Sequence, residues 1–373
     1  MQPEAVLPVG TRQGPAVLTG SPRSPRPTSA PGRSRWALRW EGALAVALVL
    51  MVLLGAATSP HFLTASNIFS NVCLPYGELV IMALPMTLVI LSGEIDLSIA
   101  STLALSSSLV GYLWSQHWPM PLVILAALAA GLVCGVFNGA LVTRVGLPSL
   151  AVTIGTMTLY EGISEIILGP SIITSFPAAY TTTGVNAFPG TGGLLSYSAV
   201  IFILLAVVFG VVLHATPFGR SVVAIGWNKE AAQFAGIRVK RVKTVLYMLS
   251  GLVGALAGVL YTFRLSTAEA DNGTTLILPV VAVVLLGGVS IFGGKGTMVG
   301  VVLAVLVYCG LQSLLLLTNF NSNALELVTG ALLLLSVVMP NGREVAARAR
   351  RFARHSRTNS PDMKGGLPPA SAH

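Results

Sequence analysis

Apolar residues along this chain arrive in blocks of about twenty, the length a helix needs to cross a bilayer. On that measure the pattern predicts about ten spanning helices. They fall at residues 41–58, 72–92, 97–115, 120–142, 148–168, 197–215, 244–263, 276–292, 297–317 and 324–340. Ser, Thr and Gly dilute the third block, and Pro279 interrupts the eighth near its start. Pro75, Pro85 and Pro148 also lie at or inside apolar blocks. Two segments that should lie near the inner face, Ser92–Ser98 and Phe292–Thr297, are polar and contain glycine. Irregular backbone is expected there, covered by protein or lining water, because a bilayer tolerates it nowhere else.

Composition sharpens the picture. The 373 residues are 54% hydrophobic and 9% charged, with a mean hydropathy of +0.80. Soluble domains carry about 25% charged residues, so a soluble fold is excluded and an all-α, polytopic membrane protein is expected. The net charge of +9 sits in the tails. Residues 1–40 hold six Arg against Glu4, and residues 341–373 hold six Arg and Lys364 against Glu344 and Asp362. Three parts follow: a basic disordered tail (1–40), a transmembrane domain (41–340) and a second basic tail (341–373), in which 343–354 could form a surface helix. Such tails suit anionic membrane lipid rather than nucleic acid. With the N-terminus inside, the inner loops carry Arg144, Arg220 through Lys243, and Lys295, and the outer loops carry Arg264 as their basic residue. The positive-inside rule therefore places both termini in the cytoplasm.

Local spacing adds detail. Gly131, Gly135 and Gly139 share one helix face, as do Gly254 and Gly258, which predicts close helix packing within the bundle. Cys73, Cys134 and Cys309 lie far apart in apolar blocks and read as small buried hydrophobes. Glu78, Glu161, Glu165 and Glu326 sit near expected outer ends of spans and read as solvated end-groups, although Glu161 and Glu165 share a face that could line an outer vestibule. Asn272-Gly-Thr274 matches a glycosylation sequon, a pattern common by chance.

Few residues offer chemistry. Glu94 and Asp96, two carboxylates two residues apart beside a span, could bind a cation, relay protons or meet a polar solute. The structural alternative is that Asp96 caps the helix that follows. Gly293-Gly-Lys295-Gly-Thr297 imitates a phosphate loop but fails it, with Val at 289 and Gly after the lysine. No metal-ligand spacing is present, so this chain is expected to hold no metal, cofactor or catalytic residue of its own. One polar island stands out: Asn228-Lys-Glu-Ala-Ala-Gln-Phe-Ala-Gly236, followed by a basic run to Lys243. Asn228 can cap a short helix and Gly236 can stop it, giving about two turns on the inner face. The plain alternative is a basic loop that only fixes topology.

Phe218-Gly-Arg220, Ala224-Ile-Gly-Trp-Asn228, Ala231-Ala232 and Ala235-Gly-Ile237 together resemble the cytoplasmic coupling segment of bacterial sugar ABC-transporter permeases. The relatives in view are the ribose, xylose, rhamnose and autoinducer-2 types, within the branched-chain amino-acid permease superfamily. Gly93–Ser98, Asn138–Val142 with Leu147–Thr156, and Leu286–Thr297 agree with the same family, in the same order, from about residue 43 to Pro340. Glu94 departs from it, standing where the family more often has a small residue, so the resemblance carries no role to that acid.

The resemblance implies an importer permease of the vitamin-B12-permease-like type in the bacterial cytoplasmic (inner) membrane. ATP would be bound by cytoplasmic ATPase subunits, and an extracytoplasmic sugar-binding protein would deliver the solute to a pair of permeases, identical or sister. Within residues 218–243, the coupling positions would be Asn228, Glu230, Ala231, Ala232, Gly236 and Ile237. Candidates for lining the path are Glu94, Asp96 and Asn138. Competing expectations are a permease for branched-chain amino acids, an ion-coupled secondary transporter that depends on Glu94 or Asp96, and a membrane-embedded enzyme.

Overall fold

The computed structural model describes residues 35–320, together with Leu327, Val328, Gly330, Ala331 and Leu334. The two expected tails, Glu326 and most of the block at 324–340 lie outside the described residues.

Helices occupy each expected block that falls within the described residues. They are α1 (Arg35–Thr58), α2 (Ala65–Asn67), α3 (Gly77–Leu91), α4 (Ile99–Ser115), α5 (Met120–Ala140), α6 (Ser149–Leu168), α7 (Ala178–Val185), α8 (Tyr197–Ala215), α9 (Pro217–Trp227), α10 (Lys229–Phe234), α11 (Val239–Leu265), α12 (Ile277–Leu286) and α13 (Met298–Leu317). Two isolated β-bridges, Ile173 with Ala268 and Ala187 with Ser196, tie loops together. Five of these helical stretches are long and apolar enough to cross a membrane, or six if a bent pair counts as one span. That pair is the π-helical stretch to Cys73 and α3, bent by 56°. Pro75 lies in the break, where its missing N–H and fixed φ interrupt the ladder. The eighth block shrinks to ten helical residues. Pro279 is accommodated in the first turn of α12, where its N–H would have no partner in any case, and the helix stops at Gly287.

At the centre lies α3, every residue of which is buried. Against it run α11, α8 and α12, while α11 also packs on α5, α4 and α7, and α13 packs on α1 and α12. The glycine faces do what their spacing suggests. A Cβ at Gly131 or Gly135 would strike the backbone of α11 at Gly251 and Tyr247, and one at Gly258 would strike Leu103 of α4. Small residues thus set the approach of α5, α11 and α4, which apolar solvent outside would not drive by itself. The opposite pattern marks the lipid-facing side: Leu204, Val207 and Val211 of α8 and Leu50, Leu53 and Leu54 of α1 are all more than half exposed. Cys134 and Cys309 are buried and Cys73 is half-buried, all as free thiols.

Candidate functional site

The polar island folds as its residues dictate. The Asn228 side chain accepts a hydrogen bond from the Ala231 N–H at 2.9 Å, capping α10. Gly236 follows the helix with φ of +83°, a left-handed conformation that a side chain resists. Ala232 alone on α10 is buried, held against Ile225 of α9 and Val239 of α11, with Ile237 packed beside them. Lys229, Glu230, Ala231 and Gln233 face solvent, and Phe234 is 93% exposed. The Phe234 ring, on a helix pinned through one alanine, is therefore free to meet a partner.

Beneath α10 the two irregular segments meet. Gly294 N–H donates to Leu91 O at 2.8 Å. At Gly226 of α9 a Cβ would run into Leu91 O and Gly294 N, while at Gly293 it would press on Gly93. Three chain segments therefore cross at glycines, with Trp227 stacked under the Lys295 ammonium, 5.2 Å from the ring centre. The lysine of the false phosphate loop is thus spent on an aromatic face, and Thr297 caps α13 by accepting from Gly300 N–H.

The path candidates are brought near one another but divide by role. Asp96 is buried, accepting from Ser250 Oγ at 2.6 Å and from Ser98 Oγ at 2.6 Å and N–H at 3.1 Å. Asn138 Nδ2 donates to the same Ser98 hydroxyl at 2.7 Å, and Tyr160 Oη lies 3.2 Å from Asn138 Oδ1. Asp96 and Asn138 are therefore members of one buried polar chain that joins α4, α5, α6 and α11 ahead of the α4 N-terminus. Glu94 is separate: it pairs with Lys243 of α11.

Glu78 corrects an expectation. It is 1% exposed rather than a solvated end-group, and the Arg264 Nε–H donates to its carboxylate at 3.0 Å. The guanidinium offsets part of the cost of burying this carboxylate. Glu165 is exposed and Glu161 half-buried. Asn272, the sequon residue, is buried and donates to Ser107 Oγ at 2.9 Å.

A family model described as "Branched-chain amino acid transport system / permease component" matches residues 68–337. That stretch spans α3 to α13, both irregular segments and α10. The chain belongs to this permease family. Among curated proteins it is similar to the autoinducer 2 import system permease protein LsrD of Klebsiella pneumoniae, 33% identical over 83% of this chain and 92% of that protein. The LsrD proteins of Escherichia coli K12 and Shigella flexneri are each 33% identical over 84% of this chain and 94% of theirs. No solved structure matches. As a member of the permease family the chain is a multi-pass membrane transport protein, in accord with its apolar helices.

Within this permease, Phe234, Trp227 and Lys243 lie in segments that the sequence singles out, but sequence reasoning gives none of them a role of its own. Phe234 carried a usable signal, being the lone aromatic in a polar island. Lys243 carried none, because its partner lies 149 positions away.

Proposed function

We propose that this chain is the membrane-spanning subunit of an ATP-binding-cassette importer in the cytoplasmic membrane. Its solute is a small sugar or sugar-like molecule of the autoinducer-2 class, and a separate ATPase grips α10. The similarity to LsrD over most of both chains supports the solute class. One observation carries the coupling reading: α10 is capped by Asn228, stopped by Gly236, anchored at Ala232, and presents Phe234 almost wholly to water. In this reading both termini lie on the ATPase side, and Glu230, Ala231 and Ile237 frame the docking face. Movement of α10 then reaches Leu91, Gly93 and Gly294 through α9 and the glycine crossing at Gly226, where the backbones are in contact. Asp96 and Asn138 border the part of the bundle that must rearrange to pass solute.

The test is the affinity of the cognate ATPase for the purified permease. Removing the Phe234 ring forfeits about 2 kcal/mol of burial, so Phe234→Ala should weaken the complex roughly thirtyfold while leaving the permease folded. Unchanged affinity in that variant and in Ala231→Asp would refute docking through α10.

A further inference from the structure

Beside α10 the structure has a cleft of about 340 Å³ that the docking reading leaves unused. Arg144, Lys229, Lys240 and Lys243 line it, against Glu94 as the acid among its lining residues. Lys243 is neutralised by Glu94. The side chains of Arg144, Lys229 and Lys240 meet no carboxylate among the described residues. Three solvent-exposed cations from three separate stretches of chain, gathered at one concave surface without a carboxylate partner among the described residues, make that surface attractive to an anion. A guanidinium with two ammonium groups suits a phosphate or phosphodiester, the guanidinium forking onto two oxygens and the lysines acting as point charges.

The surroundings narrow the ligand. The wall continues through Gly146, Leu147 and Pro148. Val145 is 65% exposed, Leu147 45% and Leu150 47%. A cationic cleft bordered by bare aliphatic side chains, in a chain that lives in a bilayer, matches an anionic head joined to hydrocarbon. An acidic segment of a soluble protein would leave that aliphatic border unused. We propose that this cleft holds the phosphodiester of an anionic phospholipid, with Arg144 and Lys240 as its principal contacts and an acyl chain lying along Val145, Leu147 and Leu150. Bound there, the lipid bridges the stretch after α5 to Lys229 on α10. The proposal stands whether or not α10 docks an ATPase.

Native mass spectrometry of the full chain released from bilayers of phosphatidylcholine and phosphatidylglycerol tests it. The wild-type protein should retain one phosphatidylglycerol at least tenfold in preference to phosphatidylcholine. Arg144→Gln with Lys240→Gln should abolish that preference, and Arg144→Lys with Lys240→Arg should keep most of it. Millimolar inorganic phosphate should not displace the lipid. Equal retention of both lipids by the wild-type protein would overturn the proposal without any variant. So would displacement by phosphate, which would make the cleft a free-anion site, or a loss of ATPase affinity in the Gln variant with lipid preference intact, which would assign it to an acidic protein segment.

Discussion

At the scale of single residues, two ion pairs decide how the two central helices are held. Glu94 follows the end of α3 and meets Lys243 near the start of α11, while Glu78 near the start of α3 meets Arg264 near the end of α11. The helices are antiparallel, so they are pinned at both ends. Removing one partner of a buried pair leaves a charge without compensation and costs about 3 kcal/mol or more, whereas the intact pair adds little over an apolar substitute. Glu94→Lys should therefore lower the melting temperature of the detergent-solubilised protein sharply, and Lys243→Glu should do the same. The double exchange should recover most of the loss. A double exchange no better than either single change would show that the pair is incidental.

At the scale of elements, packing is set by glycines that admit a second backbone. Gly135 faces the Tyr247 carbonyl, whereas Gly155 on α6 has nothing near its missing side chain. Gly135→Leu should cost about 3 kcal/mol through overpacking, while Gly155→Ala should be neutral or gain up to about 1 kcal/mol of helix propensity. Thermal melts of the two variants separate these outcomes, and equal effects would contradict the assigned faces. Such faces were legible in the sequence because a helix repeats every three to four residues, as were the Asn228 cap and the Gly236 stop. The ion pairs and the crossing of Gly93, Gly226 and Gly293 were not. Glu78 and Arg264 lie 186 positions apart and the crossing joins stretches still farther apart in sequence, whereas periodicity describes only what one helix does to itself. The same limit explains Glu78: its position at a helix end was readable, but the arginine that buries it was not. Ten residues in α12 where seventeen were expected reflect Gly287 and Gly288, which end the helix inside an apolar block that hydropathy treats as continuous.

At the scale of the whole molecule, the chain divides between an apolar helical bundle and a small, mostly exposed polar platform at α10, which in the proposed function is the part an ATPase grips. Asp96, Ser98, Asn138 and Ser250 satisfy one another inside the bundle, so a path that opened beside them, as proposed, would exchange those hydrogen bonds for contacts with solute or water. In the proposed importer the energy for that exchange comes from a separate ATPase and travels through α10, the glycine crossing and the two pinned helices. In the proposed function, transport is driven through this platform by a separate ATPase. Uptake of labelled autoinducer-2, the proposed solute, into proteoliposomes holding the permease, its cognate ATPase and binding protein measures this. Uptake should require ATP, persist without a proton gradient, and fall at least tenfold in Phe234→Ala. Robust uptake by the permease alone under a proton gradient, lost in Asp96→Asn but not in Phe234→Ala, would contradict it.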